Sequence, residues 1–354
     1  MNKHIKQLIE NIFNDNFFDD INDISLADEL KITDENSIIT WLNQYVIINN
    51  IDNKNEKSFQ LNDGIVITYE NNIPNVIIDK TPNNIQIKSL TFTAPIPKWF
   101  NISYINSSVK FANTELGNMP KNIKGSVYFK NCDFYIFPSN MSSVQGEIII
   151  QECNNIVSLS GLETLKELLS ISVYDCNKFE TTKGISQSVT CLWIEDCQSF
   201  NKLEDLPEGI LNQITLINLP SLSSLNGCPR AILNDLYITL CPLITTLKGA
   251  PDYIGGLLKC TSCGLTKLEI PNMRVWKINV NDNKLTSLEG GPKEVSSHYF
   301  ANNNRLKVLN AENTKVTGYD SKLYVIGNRS LKTIENAPLG ISPKNIIRHK
   351  SKQH

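Results

Sequence analysis

Two cysteines in a C-x-x-C spacing, Cys260 and Cys263, are the residues of this chain whose types and spacing most directly suggest chemistry. That spacing occurs in redox pairs and forms half of many zinc sites. The chain has nine cysteines in 354 residues, however, and most of them recur at a regular interval. A zinc site needs four ligands that converge on one point. If the regular interval places the cysteines in separate layers of a repeat, they cannot converge, and their role is structural.

The interval is that of a repeat. Ten positions, which we call the anchors, lie 20 to 24 residues apart, and each follows apolar residues three and five positions earlier. All twenty of these earlier positions are apolar, which at 41% apolar composition has a chance on the order of 10⁻⁸. The anchors are Cys132, Cys153, Cys176, Cys197, Leu219, Cys241, Cys263, Asn283, Asn304 and Asn328.

An apolar pair followed by Asn or Cys at this period is the leucine-rich-repeat pattern. The paired residues would point inward and stack between coils of a parallel sheet, about 4.8 Å apart. An inward anchor could bond the backbone groups of the bend. We therefore predict a leucine-rich-repeat solenoid with a parallel β-sheet on its concave face. In this interpretation Cys263 is an anchor and Cys260 an inward strand residue, and we expect reduced thiols, no metal and no cofactor.

A second signature, Pro-x-x-Ile or Pro-x-x-Val, lies between the predicted strands. Because proline fixes φ and lacks a donor, we predict a convex side that is mostly extended or polyproline-like. Only GLETLKELL, residues 161–169, suggests a helical turn. The signature occurs at Pro120/Ile123, Pro207/Ile210, Pro229/Ile232, Pro251/Ile254, Pro292/Val295 and Pro338/Ile341.

The segments SLNGCPRAI, TLKGAPDYI and SLEGGPKEV, which begin at residues 224, 246 and 287, resemble the repeats of leucine-rich-repeat proteins of bacteriophages and some bacteria. In those proteins L-T-S-L-x-G-x-P-x-x-V alternates with a short strand ending in C-x-N-N, and KLTSLEGGP at 284–292 is a close match. The likeness extends over roughly residues 37–345 and is looser at 111–200. It implies the fold and a phage source, and it implies no target.

Four segments are predicted along the chain. Residues 1–32 form an amphipathic helix and an acidic linker. Residues 33–88 form a small α/β cap, with a helix from Thr33 to Tyr45 and then a hairpin, since the end of a solenoid must be covered. Residues 89–343 form the solenoid of about 11–12 rungs, and residues 344–354 form a basic, flexible tail.

The candidate partner-binding residues lie one, two and four positions before the anchors, where side chains point away from the core. Glu152, Asp175 and Asp196 would stack on adjacent rungs beside exposed aromatic rings. Like charges at that distance repel by about 1 kcal/mol even in water, and an interface for a basic partner would tolerate this. The competing interpretation is a solvated face with incidental acids. The candidates are Glu152, Tyr174, Asp175, Trp193, Glu195, Asp196 and Tyr237.

Catalysis is not expected. His298 is the only one of four histidines away from the ends of the chain, and no Ser/His/Asp set, HExxH or P-loop is present. The net charge of −2 makes nucleic acid an unlikely partner. Met1 to Asn16 lacks the features of a signal peptide and no apolar run approaches a membrane span, so we expect no membrane partner and a cytoplasmic or virion-associated protein.

These observations favour a non-enzymatic, phage-encoded protein-binding module that acts on a protein partner, with a basic one favoured, and on no small-molecule substrate. An alternative of a different class is a structural or cargo component of a phage particle, docked by the N-terminal helix.

Overall fold

The computed structural model describes residues 35–50, 65–71, 73–79, 87–207 and 211–348. In this part of the chain one α-helix, α1 (Glu35–Tyr45), precedes a series of strands, and a 3-10 turn spans Pro343–Asn345. No described helix has the length and apolar character that a membrane span requires. The described strands are β1 Val46–Asn50, β2 Ile65–Glu70, β3 Ile73–Ile78, β4 Ile87–Phe92, β5 Asn101–Ile105, β6 Ser108–Ala112, β7 Asn122–Ile123, β8 Val127–Lys130, β9 Ser143–Val144, β10 Glu147–Gln151, β11 Ser170–Tyr174, β12 Cys191–Glu195, β13 Gln213–Ile217, β14 Ala231–Ile232, β15 Leu236–Thr239, β16 Tyr253–Thr261, β17 Arg274–Asn279, β18 Glu294–Val295, β19 Tyr299–Phe300, β20 Val308–Leu309, β21 Lys315–Val316, β22 Leu323–Tyr324, β23 Thr333–Ile334 and β24 Ile346–Ile347.

The protein is a parallel-sheet β-solenoid of about 12 turns with little helix, which confirms the predicted solenoid architecture. In the main ladder each strand pairs with the next strand of that ladder along the chain. Its strands, in order, are β4, β6, β8, β10, β11, β12, β13, β15, β16, β17, β19, β22 and β24. All of these pairings are parallel, and each joins one coil to the next. β1 covers the first strand, β4, in antiparallel pairing.

The register follows the anchors. Ile194 faces Val173 on one side and Leu216 on the other, which are the residues three positions before consecutive anchors. All twenty apolar positions that define the repeat are buried, as are all ten anchors. Strand side chains alternate between the two faces of a sheet, so one face of each main-ladder strand packs in the core and the other faces outward. We call the face that points away from the core the outer face.

A second, shorter ladder is formed by strands that precede the main-ladder strands along the chain and are separated from them by a bend. It begins with the antiparallel hairpin β2–β3 and continues through parallel pairings to β5, β7 and β9. It reappears at β14, β18 and β21, and the long strands β16 and β17 belong to both ladders. Its buried residues include four of the six apolar residues of the Pro-x-x-Ile or Pro-x-x-Val signature, namely Ile123, Ile232, Ile254 and Val295.

The prediction of a helical turn at residues 161–169 is wrong. This segment forms consecutive turns, in which the Leu162 and Leu165 N–H groups donate to the carbonyls three residues earlier, at 3.1 Å. The leucines at 162, 165 and 168 are buried. The three-residue spacing that resembles a helix is therefore the spacing at which an extended coil turns its side chains inward.

At the N-terminal end, α1 lies against the first coils. Trp41 contacts Phe92 and Phe100 with ring centroids 6.4 and 5.5 Å apart, and the Thr93 N–H donates to the Tyr45 carbonyl at 3.0 Å. Ile38 and Leu42, on the same helix face, are fully buried. The hairpin predicted after this helix is β2–β3. Residues 1–32, predicted as an amphipathic helix and linker, lie outside the described residues.

At the C-terminal end the sheet extends past the predicted boundary at 343. Ile346 and Ile347 form β24, which pairs with Leu323 and Tyr324 of β22, and Ile346 is buried. The segment predicted as a flexible tail therefore begins with another strand of the main ladder. The basic residues of this segment concealed the short apolar pair Ile346–Ile347, which follows Asn328 by too little sequence to show a full repeat.

Candidate binding surface on the main sheet

The anchor cysteines use their thiols as hydrogen-bond donors inside the coils. In all six the sulfur lies 3.2 to 3.5 Å from the carbonyl oxygen two residues earlier, for example Cys176 to Tyr174 and Cys197 to Glu195. In four of them the sulfur also lies 3.8 to 3.9 Å from a carbonyl oxygen of the preceding coil, for example Cys197 to Val173. A thiol is a weak donor, so these residues act chiefly as small buried side chains that bridge the bend.

The anchor asparagines bond in two directions. The Nδ2 of Asn304 donates to the carbonyls of Val280 and Asn302 at 2.9 and 3.1 Å, while its Oδ1 accepts the Leu285 N–H at 3.0 Å. Asn283 and Asn328 repeat this arrangement. An amide carries both donors and an acceptor, and each asparagine therefore joins its own bend to the preceding coil.

The C-x-x-C pair lies in this core. Cys260 is fully buried and Cys263 is 8% exposed. Burial raises the pKa of the Cys260 thiol, while hydrogen bonds from the Cys241 and Cys260 thiols lower the pKa of Cys263 to about 4. The fully buried Cys260 is therefore protonated, and a protonated thiol is a poor nucleophile and a poor ligand. Among the described residues, no three His, Cys, Asp or Glu side chains are grouped in a way that could hold a metal ion.

The column directly before the anchors has a backbone feature that the sequence does not announce. From Asn131 to Asn303 nine of its residues have φ between 49° and 59°, and Gly327 completes the column at 77°; Asn113, one coil before the first anchor, has the same conformation at 54°. This left-handed conformation costs most side chains roughly 1–2 kcal/mol, and Gly, Asn and Asp adopt it most readily. The ten residues other than Gly327 are Asn113, Asn131, Glu152, Asp175, Asp196, Asn218, Leu240, Ser262, Asp282 and Asn303.

This conformation changes the meaning of the acidic column. Asp and Asn at these positions satisfy the turn, so their presence alone indicates no partner. Neighbouring members of the column bond across coils, since the Asn303 and Asn131 amides donate to Asp282 and Asn113 at 2.8 and 2.9 Å. What the turn does not explain is charge on three successive coils, at Glu152, Asp175 and Asp196, where asparagine would suit the backbone equally well.

The aromatic candidates form a ridge on the outer face. Trp193 and Tyr174 lie on adjacent coils with ring centroids 6.3 Å apart at an angle of 45°. Trp193 stands in its column between Ser172 and Thr215, which are only 4% and 2% exposed, although they belong to the outward-pointing set. The neighbouring large side chains therefore cover these small ones, and the rings present half-exposed apolar surface.

Acidic side chains hold the polar ends of these rings. Trp193 Nε1 donates to Glu195 at 2.8 Å, and the Tyr237 hydroxyl donates to Asp235 at 2.9 Å. Burial and the Asp235 carboxylate raise the pKa of Tyr237. Tyrosine and tryptophan with bonded polar ends and open faces are common anchors of protein interfaces.

The three stacked acids are neutralised only in part. Glu152 forms an ion pair with Lys130 at 3.6 Å and accepts from the Gln151 amide at 3.0 Å. Asp196 accepts from the Asn218 amide. Asp175 is exposed, and within the described part of the chain its carboxylate has neither a hydrogen bond nor an ion pair.

Sequence reasoning identified the three columns nearest the anchors and missed the next one. Glu147 and Asp235 lie six positions before their anchors and point to the same outer face, where Glu147 accepts from the Ser172 hydroxyl. Strict alternation from the anchor predicts this column. The repeat pattern itself defines the strand only as far as five positions before the anchor, so it carries no signal for this column.

We call the following set on the outer face of the main ladder the acidic–aromatic surface: Glu152, Tyr174, Asp175, Trp193, Glu195, Asp196 and Tyr237. The first six lie on three consecutive coils, and Tyr237 lies two coils beyond Trp193, with the coil of β13 between them. Comparison with known proteins adds no relative to this description, because no family model matches the chain and no curated protein matches its sequence.

Proposed function

We propose that the protein is a non-enzymatic binding module that recognises a basic protein segment with the acidic–aromatic surface. The observation that carries this proposal is the charge of Glu152, Asp175 and Asp196. Their backbone conformation calls for asparagine or aspartate, and neutral asparagine fills the same column at Asn131 and Asn218. Successive charges that the fold does not need cost stability through repulsion, and a cationic partner would remove that cost.

The aromatic ridge supports the same proposal. A half-exposed Trp193 next to Tyr174 supplies apolar contact area, and the bonds to Glu195 and Asp235 limit the ring orientations of Trp193 and Tyr237. Side chains that are already ordered lose little entropy on binding. Charge on the same surface would raise the rate at which an oppositely charged partner arrives.

Our proposal for the wider identity rests on the sequence resemblance. The coils would be leucine-rich repeats of the bacteriophage type, with α1 and the hairpin β2–β3 as the N-terminal cap, in a cytoplasmic or virion-associated protein. The contacts of Trp41 with Phe92 and Phe100 support the cap. The asparagine anchors support the repeat type, since they bond the bend and the coil before it.

The experiment uses substitutions that the left-handed column tolerates. In a triple variant, Glu152→Gln, Asp175→Asn and Asp196→Asn, three charges are removed and the size of each side chain is kept. The probe is a labelled oligolysine peptide, followed in fluorescence anisotropy at increasing salt. We expect binding by the wild type that weakens with salt, and at least about a tenfold loss in the triple variant, which corresponds to 1.4 kcal/mol.

The matched control removes three acids that also have positive φ but lie in other turns, Glu167→Gln, Asp205→Asn and Glu269→Gln. Its affinity for the peptide should match that of the wild type. Equal losses in both triple variants would show a general charge effect and contradict the proposed surface. If both bind normally while Ile9→Asp, which lies outside the described residues, abolishes capture of a phage particle protein, the docking alternative replaces the proposal.

A further inference from the structure

The C-terminal third of the solenoid is positively charged, whereas the coils that carry the acidic–aromatic surface are negatively charged. Between residues 133 and 258 the chain has fourteen acidic and six basic residues, a net charge of −8. Between residues 259 and 348 it has seven acidic and fourteen basic residues, a net charge of +7. The overall net charge of −2 conceals this division. Among the described residues, no lysine or arginine of the basic segment forms an ion pair.

Part of this positive charge lies on the outer face of the main sheet. Lys277 and Lys322 occupy the column six positions before Asn283 and Asn328, and His298 occupies it in the coil between them. The Lys277 ammonium lies 5.1 Å from the centroid of the Phe300 ring. Phe300 in turn stacks on Tyr324, with centroids 4.6 Å apart and an angle of 6° between the planes.

Three asparagines on this face are fixed so that they present donors. The side-chain Oδ1 of Asn281 accepts the Asn302 N–H at 2.7 Å, and that of Asn302 accepts the Ile326 N–H at 2.8 Å. The Oδ1 of Asn279 accepts the Asn281 N–H at 3.1 Å. Because a backbone N–H can only donate, these bonds decide which end of each amide is oxygen. All three Nδ2 groups are left without a hydrogen-bond partner among the described residues.

His298 adds another donor. Its Nδ1 accepts the Lys322 backbone N–H at 3.2 Å, so in the neutral ring the proton resides on Nε2. The only carboxylate among the main-strand positions of these coils is that of Asp282, which accepts from Asn303. We call the set Lys277, Asn279, Asn281, His298, Asn302 and Lys322 the donor surface, since it offers positive charge and N–H groups and almost no competing anion.

The edge of this face continues the positive charge. Lys284, Arg305 and Arg329 each directly follow an asparagine anchor, and all three are exposed. Lys307 and Lys332 lie on directly stacked coils, because the Lys332 N–H donates to the Lys307 carbonyl at 3.4 Å. Stacked cations without counterions repel one another, and a chain of anionic groups would relieve this repulsion across several coils at once.

We propose that the donor surface and its basic edge bind single-stranded nucleic acid. Phosphates would take the lysine, arginine and imidazole donors, and base edges would take the asparagine amides. The paired rings of Phe300 and Tyr324 provide the aromatic surface that such sites place among cations. An acidic protein segment would use the donors and the charge but would have no need of the rings, and for that reason we favour nucleic acid.

The test measures binding of a labelled oligothymidylate to the full chain by fluorescence anisotropy as salt is raised. The variant is Lys277→Gln with Asn302→Asp. It removes one cation and turns one donor into a carboxylate, while Oδ1 of residue 302 can still accept the Ile326 N–H. The control, Lys183→Gln with Gln198→Glu, makes the same charge change among the acidic coils. Thermal melting verifies that both variants fold.

We expect the wild type to bind at low salt, with an affinity that falls by about 0.7 log units per contacted phosphate for each tenfold rise in salt. The Lys277/Asn302 variant should bind at least about tenfold more weakly, with a salt slope shallower by about one. The control should bind within about twofold of the wild type.

Three results would overturn the proposal. One is that the wild type does not bind the oligonucleotide at low salt. Another is that oligoglutamate of equal charge binds as tightly, which would assign the surface to an acidic protein. The third is that Lys350→Gln with Lys352→Gln abolishes binding while the Lys277/Asn302 variant binds normally, which would place the contact in the tail. None of these results depends on the acidic–aromatic surface, so the two proposals fail separately.

Discussion

The main-ladder strands of the cysteine-anchored coils, from Cys132 to Cys263, have four to nine residues, whereas those at Asn304 and Asn328 have two. In the first region the strands carry the contacts between coils through backbone pairing, and the anchor thiol adds only weak contacts, one within its bend and, in four coils, a longer one of 3.8 to 3.9 Å to the preceding coil. In the second region side chains replace part of that pairing. The amides of Asn281, Asn302 and Asn304 each accept a backbone N–H from a neighbouring coil.

The same division separates the charges. The long strands of the cysteine region display acids and aromatic rings on the outer face, and the asparagine region displays amides and cations. Asparagine serves twice in the second region, as backbone partner in the bend and as a donor on the surface. One fold thus builds two different surfaces because the anchor and the outer columns vary independently of the buried apolar pair.

The largest expected effect tests whether the cysteine region is a single packed core. Ile194→Ala or Leu216→Ala removes a fully buried side chain between two coils, and the cavity should lower the free energy of unfolding by about 2–5 kcal/mol. Urea unfolding measures it. The exposed control Lys183→Gln should change it by less than about 0.5 kcal/mol. A truncation at either position without measurable loss would show that the register is wrong.

The next effect compares the two kinds of anchor. Asn304→Ala leaves the Leu285 N–H and the carbonyls of Val280 and Asn302 without their side-chain partner. Because unsatisfied buried groups are costly, we expect a loss of about 2–3 kcal/mol. Cys197→Ala removes one sulfur with a weak bond, and we expect a loss of about 1 kcal/mol. Equal losses in the two unfolding curves would remove the proposed difference between the anchors.

Burial of the Cys197 thiol predicts that stability depends on pH. The pKa of Cys197 is raised from its ordinary 9.0 to about 12 by burial. Below pH 9 the thiol is protonated in both states and stability is unaffected. Between pH 9 and 12 only the unfolded chain ionises, so stability should fall by about 1.4 kcal/mol per pH unit for this thiol. Urea unfolding at pH 8 and pH 10 should show a smaller decrease for Cys197→Ala than for the wild type, and an identical decrease would contradict the assignment.

The smallest expected effect is an increase in stability, from a substitution in the asparagine region. Tyr299 is fully buried, occupies a position where most other coils have Leu or Ile, and is the one described side chain whose buried polar atom has no partner. Tyr299→Phe keeps the ring and removes the unpaired hydroxyl, so the free energy of unfolding should rise by about 1 kcal/mol. A loss of similar size would mean that the hydroxyl is bonded, for instance to a water molecule.

Much of the fold could be predicted from the sequence because the apolar pair and the anchor are repeated in every coil. The anchors, the inward residues and the candidates on the outer face followed from one alignment within the chain. The turns at 161–169 did not, since a three-residue spacing of leucines fits both a helix and an extended coil. The strand Ile346–Ile347 did not either, because a single apolar pair without an anchor carries too little signal.

The position of the candidate surface could be predicted from the sequence, but the reason for its Asp and Asn residues could not. The columns of Glu152 and Asp175 were identified, but their left-handed backbone could not be read from side-chain alternation. That conformation accounts for many of the Asp and Asn residues and leaves the charge as the informative part. The donor surface was missed because the net charge of the whole chain obscures two opposite regions, and because the orientation of an amide such as Asn302 depends on a bond from the next coil.

The central claim is that the outer face is divided by charge into two separate binding surfaces. The most direct test measures the affinities of both oligolysine and oligothymidylate for the wild type, the Glu152/Asp175/Asp196 triple variant and the Lys277/Asn302 double variant. We predict that the triple variant loses at least about tenfold affinity for the peptide alone, and the double variant the same for the oligonucleotide alone. If each variant weakens both ligands equally, or neither weakens its own ligand, the division into two surfaces is contradicted.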